Sequence, residues 1–313
     1  MTTLDSRGLW AVVVNWNGGE QNAACLASLV AGGVPADHIV FVDNASSDES
    51  LAEIRCGFPD VLTIANDRNL GFGEGANQGA RHALDGGATC VLFANNDVTF
   101  PPDAPSALLE VLGEDSQIGI VGPRVLYARP PARVWCAGGM MTWRQNLSTL
   151  LGHGAPDAPR WRQRRPVDYI AGCAMLVRRE VFESIGMLDP SYFAYMEDVD
   201  FCIRAGAAGF QVQSIGTVAC YHEPSSATGG GYNPRRKYMQ GVNSVHFLRR
   251  HGGRREWLRF TVFDVLSLPF LWILSLFRGR QRAVLAKGLG IFHGLRGAYV
   301  TADRLQSGGT RLW

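Results

Sequence analysis

The chain has 313 residues, 46% of them hydrophobic and 19% charged. That balance excludes a disordered or low-complexity protein and fits one large domain or a domain with an appendage. Formal net charge is only +2, but residues 235–313 carry fifteen Lys/Arg against three Asp/Glu, a net of +12, and residues 1–234 carry fifteen against twenty-five, a net of −10. The basic charges flank an apolar segment and form no continuous stripe, which argues against nucleic acid as a partner and for an anionic surface. Seven scattered cysteines with no Cys-X-X-Cys pair, behind a polar N-terminus, predict a reducing, cytoplasmic setting.

Residues 9–14 form an apolar run, as expected of a strand buried on both faces, and end in Asn15-Trp16-Asn17-Gly18-Gly19. Residues 21–30 predict a helix with Leu26 and Leu29 inside. A second strand, 39–42, stops at Asp43-Asn44-Ala45-Ser46-Ser47-Asp48. Here Ser46 or Ser47 is a cap for the next helix on a structural reading, while on a functional one Asp43 accepts hydrogen bonds from a nucleoside. A third strand, 61–65, leads to a glycine-rich stretch from Asn69 to Gly79, with Asn77 expected to open a helix. The spacing is not Gly-X-Gly-X-X-Gly, so a dinucleotide is disfavoured. The fourth run, 90–94, stops at Asn95-Asn96-Asp97.

Strands alternating with helices over the first hundred residues predict a parallel, doubly wound α/β sheet. All four polar strand ends then fall on one rim, where ligands of such sheets sit. An acid there can hold a divalent cation and, through it, phosphates. The plain alternative is a turn, which Asn and Asp favour.

Residues 101–165 read mostly as loops, marked by Pro123, Pro130, Pro131, Pro156 and Pro159, with Arg160, Arg162, Arg164 and Arg165 as a solvated basic stretch ahead of the alternative, contact with a phosphate of donor or lipid acceptor. Residues 168–177 return to a strand pattern, with Gly172 and Cys173 small enough to admit a ligand. Glu197, Asp198 and Asp200 then crowd within four residues behind Tyr192-Phe193-Ala194-Tyr195. A helix N-terminus favours acids. Yet three like charges need a partner or a function, and a desolvated carboxylate can be tuned as a general base. Residues 210–221 predict a strand ending at His222, and residues 226–237, with three glycines, Tyr232, Arg235, Arg236 and Lys237, a lid that closes on a diphosphate. A helical pattern begins at Val242. Residues 257–277 are the most apolar part of the chain, but Pro269 breaks them, which leaves them short of the roughly twenty residues a membrane span needs. Arginines on both sides suit a helix lying in the interface of an anionic bilayer, at the inner face of the cell membrane, with a helical pair packed on the preceding domain or a dimer contact as the alternative.

The ordered motifs Val12-Val13-Val14-Asn15-Trp16-Asn17-Gly18, Val42-Asp43-Asn44-Ala45-Ser46-Ser47-Asp48, Asn69-Leu70-Gly71-Phe72-Gly73 and Asn95-Asn96-Asp97 resemble those of family 2 glycosyltransferases. The likeness is greatest to their bacterial rhamnosyltransferase-like branch and covers about residues 9–250. It implies a GT-A fold over residues 1–250, followed by a basic, apolar helical region over 251–313. It also implies inverting transfer from a dTDP- or UDP-linked sugar, rhamnose first, to a hydroxyl of a glycan or lipid-linked acceptor. By the same resemblance Asn15, Trp16, Asn17 and Asp43 hold base and ribose, and Asn69, Gly71 and Asn77 line the nucleotide site. Asn95, Asn96 and Asp97 stand where the family has Asp-X-Asp, with Asn95 replacing the first acid. Gly172 borders the donor sugar, and Asp97 with His222 would bind Mn²⁺ or Mg²⁺. Asp198 is then the base, Glu197 orients it or binds the acceptor, and Asp200 pairs structurally with Arg204. The enzymatic rival, a nucleotidyltransferase, lacks the basic residue such enzymes carry in their glycine loop. A non-catalytic nucleotide-sugar-binding scaffold is the rival from another class, kept open by Asn95.

Overall fold

Each of the four apolar runs becomes a strand that stops where the sequence turns polar. The computed structural model describes residues 4–223, 232–306 and 308–313. In it β1 (Leu9–Asn15), β2 (Ile39–Asp43), β3 (Leu62–Ala65) and β4 (Cys90–Asn95) lie parallel in the order β3-β2-β1-β4. Helices α1 (Gln21–Ala31), α2 (Ser50–Gly57) and α3 (Gly71–Asp85) fill the connections. Side-chain alternation divides the strands between two cores, as it must when a sheet is covered on both faces. Val12, Val40, Val42, Val91 and Phe93 enter one, and Leu9, Ala11, Val13, Phe41 and Leu92 the other.

The glycine-rich stretch is not a loop. Helix α3 begins at Gly71, so Asn77 lies inside it. Its glycines let the helix lie directly on the sheet: a Cβ at Gly79 would meet Val12 at 2.3 Å, and one at Gly75 would meet Val14 and Asn44 at 3.0 Å. Gly71 has φ +85, and a Cβ there would meet the Phe193 carbonyl oxygen at 2.3 Å.

Residues 101–165 hold more structure than their prolines suggest. After β5 (Val98–Thr99) and α4 (Ala104–Glu114) comes β6 (Ile118–Tyr127), a ten-residue strand inside the sheet. Gly119, Gly122 and Pro123 disguise it. The glycines make room, since a Cβ at Gly122 would meet Ile170 at 2.2 Å. Pro123, which can donate nothing to a ladder, sits at a break in register with the partner strand. Short strands β7 (Val134–Cys136), β8 (Gly139–Met141), β9 (Ser148–Leu150) and β10 (Arg164–Pro166) follow.

The expected strand over 168–177 is shorter, β11 (Ala174–Arg178), with residues 168–173 forming the turn before it. It runs antiparallel between β4 and β6. Helices α5 (Arg179–Ile185) and α6 (Glu197–Ala207) lead to β12 (Gln211–His222), parallel to β6, which completes a mixed but mostly parallel sheet.

Beyond the sheet, α7 (Pro234–His251) is crossed by α10 (Gln281–Leu295) at close range. A Cβ at Gly241 would meet the Lys287 carbonyl oxygen at 2.4 Å, and one at Gly290 that of Tyr238 at 2.2 Å. Between them α8 (Arg254–Phe260), a π-turn over Thr261–Val265 and α9 (Leu268–Leu276) make one helix of 23 residues, and α11 (Ala302–Leu305) follows α10. The break expected at Pro269 does not occur. Proline is tolerated in the first turn of α9. By length and composition this helix is long and apolar enough to cross a membrane. Its Asp264 is fully buried and ion-paired to Lys287, which also donates to Asn146 at 2.9 Å. Residues 226–231 of the expected lid lie outside the described residues; Tyr232 onward leads into α7.

Candidate active site

The rim is tied together by one buried amide. Asn15, at the end of β1, donates to Asp43 at 2.7 Å and to Ser46 at 3.0 Å, and accepts from Asn96 at 2.9 Å and from the Gly18 amide at 3.0 Å. Its hydrogen-bonding capacity is spent, so it braces three strand ends and has nothing left for a ligand. Ser46 caps no helix; its hydroxyl donates to Asp43 at 2.6 Å, and α2 starts later, at Ser50. Asp43 is 3% exposed, and among the described residues its Oδ2 accepts only from the Ser46 amide, at 3.0 Å, which leaves room for a ligand donor. Asn17 takes φ 54 and accepts from the Ser47 amide at 2.7 Å. That turn leaves Trp16 38% exposed, one residue past the Asn15–Asp43 hydrogen bond.

Two expected nucleotide contacts are used otherwise. Asn77 is buried, donating to the Leu188 carbonyl at 2.8 Å and accepting from its amide at 3.0 Å, so it pins α3 to the chain before α6. Asn69 caps the Gly71 amide at 2.8 Å. Asn66, Gln78 and Asn44 form an amide ladder beside them that the sequence did not single out.

Asp97 and His222 meet, as expected. β5 runs antiparallel to the end of β12, with His222 opposite Val98, and this sets His222 Nε2 3.1 Å from Asp97 Oδ1. Both are buried, with the edge of Trp135 against the imidazole at 4.5 Å. Two neighbouring ligands of an octahedral ion, each about 2.1 Å from it, stand about 3 Å apart. One carboxylate and one imidazole also suit Mn²⁺ or Mg²⁺. The pair therefore fits a divalent cation. Among the described residues no third His, Cys, Asp or Glu joins it, so its other ligands would be substrate oxygens and water. Asn95 is half-buried at the end of β4. A cavity of about 300 Å³ adjoins His222, lined by Tyr127, Ala128, Arg129 and Glu223; Arg129 donates to Glu223 at 2.8 Å. Tyr127 and Arg129 gave no sequence signal because β6 itself was hidden.

The acids sit beyond a strained turn. Phe193, Tyr195 and Met196 all have positive φ, at 62, 68 and 80, conformations that cost of order 1 kcal/mol or more each unless held. Asn243 of α7 holds them, its amide donating to the carbonyls of Tyr192, Ala194 and Tyr195 at 2.7–2.8 Å. Asp198 then accepts from the Gly172 amide at 2.9 Å and from the Val199 amide at 2.8 Å.

The crowding of three carboxylates is resolved by giving each a different charge environment. Burial pushes Asp200 up, but His251 at 2.7 Å, Arg204 at 2.7 Å and Arg250 at 3.6 Å more than reverse it, and its pKa is lowered. The expected Asp200–Arg204 pair is present. Glu197 is buried, its Oε2 without a hydrogen bond among the described residues, and burial, then the charge of Asp198, push its pKa well above the ordinary range. Asp198 is raised by burial, with the amides of Gly172 and Val199 working against the rise.

A group whose folded pKa is raised contributes stability that is full below its unfolded pKa and is lost as pH rises through the folded value. Glu197→Gln cannot ionise. Urea unfolding across pH is therefore expected to show wild type losing stability relative to the variant as pH climbs above the ordinary glutamate range.

One turn joins the two halves of the site. The Cys173 carbonyl accepts from the Asn95 amide at 3.0 Å, at the start of the Asn-Asn-Asp triplet, while the neighbouring Gly172 amide holds Asp198. A Cβ at Gly172 would press on Phe72 at 3.2 Å and on the Asp198 Cβ at 3.5 Å.

Residues 7–238 match the family model described as Glycosyltransferase like family 2. An N-acetylglucosaminyl-diphospho-decaprenol L-rhamnosyltransferase of Mycobacterium tuberculosis is 29% identical over 293 residues, spanning 87% of this chain and 95% of the relative. Among solved structures, the mannosyltransferase PcManGT from Pyrobaculum calidifontis, in complex with GDP-Man and Mn²⁺, superposes with a TM-score of 0.57 at 15% identity, over 92% of this chain and 86% of that one. GalNAc-T7 with UDP, GalNAc and Mn²⁺ gives 0.57 at 15% over 80% of this chain, which spans about half of the longer protein. At these identities the structures establish the fold, GT-A, and nothing finer.

Proposed function

We propose a specific reaction for this chain, which belongs to glycosyltransferase family 2: inverting transfer of rhamnose from a dTDP- or UDP-linked donor to a hydroxyl of a lipid-diphosphate-linked glycan. That it is a glycosyltransferase follows from the family and its relatives; the donor, the stereochemistry and the acceptor are our reading. The observation that carries it is the Gly172–Cys173 turn, whose Cys173 carbonyl accepts from the Asn95 amide, two residues before Asp97, while its Gly172 amide donates to Asp198.

Trp16 and Asp43 would hold base and ribose, in a frame stiffened by Asn15, Asn17, Asn69, Asn77 and Asn96. Gly71 lets the start of α3 approach, and Asn95 and Gly172 border the sugar. Asp97 and His222 would hold a Mn²⁺ or Mg²⁺ ion, which when bound neutralises charge on the departing nucleoside diphosphate. Asp198 takes the proton of the acceptor hydroxyl as that oxygen attacks the anomeric carbon. The bond from that carbon to the diphosphate oxygen breaks on the opposite face, and the electron pair leaves with the nucleotide. Glu197, buried next to Asp198 in the first turn of α6, would orient it or bind the acceptor.

The rhamnose and the lipid-diphosphate acceptor are suggested by the mycobacterial relative's name. The tail supports a membrane-bound acceptor. Leu258, Leu266, Phe270 and Ile273 are exposed along the 23-residue helix and Phe277 just past it, with Arg254 and Arg255 at its start and Arg278 and Arg280 beyond its end, so we place it in the interface of an anionic bilayer at the cytoplasmic face. We also propose residues 1–250 as the catalytic unit and 251–313 as the membrane-facing one. The test is turnover of dTDP-rhamnose against a panel of nucleotide sugars with a farnesyl-diphospho-N-acetylglucosamine acceptor. A rhamnosylated product supports the reading, and transfer of a different sugar alone would replace the donor.

A further inference from the structure

The first turn of α7 has its charges the wrong way round. A helix N-terminus repels cations, yet Arg235, Arg236 and Lys237 occupy it and no acid does. Lys237 Nζ donates to Gln240 at 2.9 Å and lies 4.6 Å from the Tyr232 ring centroid; the Arg280 guanidinium lies 5.4 Å from the same centroid. The two cations are therefore at most about 10 Å apart. Among the described residues neither has an ion pair. The acid that acts on Lys237, Asp264, is taken by Lys287. Residues 224–231 contain no Asp or Glu. Burial, then the charges of Lys287 and Arg236, lower the Lys237 pKa to about 8.

Arg236 belongs to another direction. One residue earlier, about 100° round the helix, it lies over Tyr195 at 5.1 Å and within electrostatic reach of Tyr127, which lines the cavity beside His222. Arg236 thus faces the donor side, and Lys237 with Arg280 faces the apolar tail helix, where Arg280 lies four residues beyond the end of α9.

We infer that Lys237 and Arg280, both in contact with Tyr232, form a binding site for the phosphates of the lipid-linked acceptor. The inference rests on the acceptor class proposed above. The lipid chain would lie along the exposed face of α8 and α9, the phosphates between Lys237 and Arg280, and the sugar toward the turn that carries Asp198, to which α7 is fastened by Asn243.

The test is a Lys237→Gln, Arg280→Gln double variant, with Lys237→Arg, Arg280→Lys as the charge-conserving control and thermal melts to confirm folding. Charge-assisted hydrogen bonds to phosphate predict a rise in KM on the order of tenfold per cation for farnesyl-diphospho-N-acetylglucosamine. Octyl N-acetylglucosaminide, which lacks phosphate, should lose at least tenfold less, donor KM should hold, and the control should recover most of the loss. An equal loss on both acceptors, or a rise in donor KM instead, would overturn the inference. So would weaker sedimentation with phosphatidylglycerol vesicles at unchanged acceptor KM, which assigns the cations to lipid headgroups. If wild type glycosylates neither acceptor, the acceptor reading fails first. Calorimetry with farnesyl diphosphate then decides the site alone: binding by wild type that the double variant loses sustains it, and no binding by wild type sinks it.

Discussion

Asp198→Asn is expected to lower transfer by about 10³-fold, the scale of a positioned general base, with donor binding unchanged. The substitution keeps the shape but only one acceptor oxygen, so one of the Gly172 and Val199 amides, which donate to different carboxylate oxygens, loses its partner. It also removes the capacity to take a proton. A structural role predicts the opposite pattern, a lowered melting temperature with activity falling only in proportion to folded protein. The pH dependence adds a second readout. Asp198 acts when ionised, and burial raises its pKa, so the rate should rise with pH along a limb above the ordinary aspartate range. Steady-state kinetics of wild type across pH would show that limb, and the variant's residual rate should lack it.

Asp97→Ala should do its damage at the other end of the Gly172–Cys173 turn. It deletes the carboxylate of the Asp97–His222 pair and leaves His222 as a lone imidazole, since no third ligand exists among the described residues. Mn²⁺ affinity in the presence of nucleotide, followed by the electron-spin signal of the free ion, is expected to fall at least 100-fold, in the range seen when metal-site residues are removed. Nucleotide affinity should then lose its metal dependence. His222→Ala should fall in the same direction by less, because a neutral ligand is lost. If nucleotide and Mn²⁺ bind Asp97→Ala as they bind wild type, the cation site lies elsewhere.

Much of this site was legible because it lies at strand ends. Four apolar runs with polar stops dictated β1 to β4, and Asn15, Asp43 and Asn95 fell on one rim without any knowledge of distances. The meeting of Asp97 with His222 and the Asp200–Arg204 pair were legible as well, the first through the resemblance and the second through helical spacing. Local residue types misled where close packing changed their meaning. Glycines 71–79 read as a loop, because glycine usually marks one, but they serve a helix pressed onto Val12 and Val14. Gly122 and Pro123 hid β6 in the same way. Asn77 falls in the nucleotide site through the resemblance alone, and its pairing with the Leu188 backbone, 111 residues away, leaves no local signal. Asn243 offered no signal at all. Its importance comes from three carbonyls 48 to 51 residues away in sequence.

The account stands on a single displacement, with Asp198 drawing the acceptor proton on the face opposite the nucleotide. The most direct measurement is the anomeric configuration of the transferred sugar, read by proton NMR of the product and of the donor under single-turnover conditions. Inversion of the anomeric carbon is the predicted result. Retention would require a covalent intermediate or same-face attack, and would contradict the assignment of Asp198 as the base in a one-step transfer.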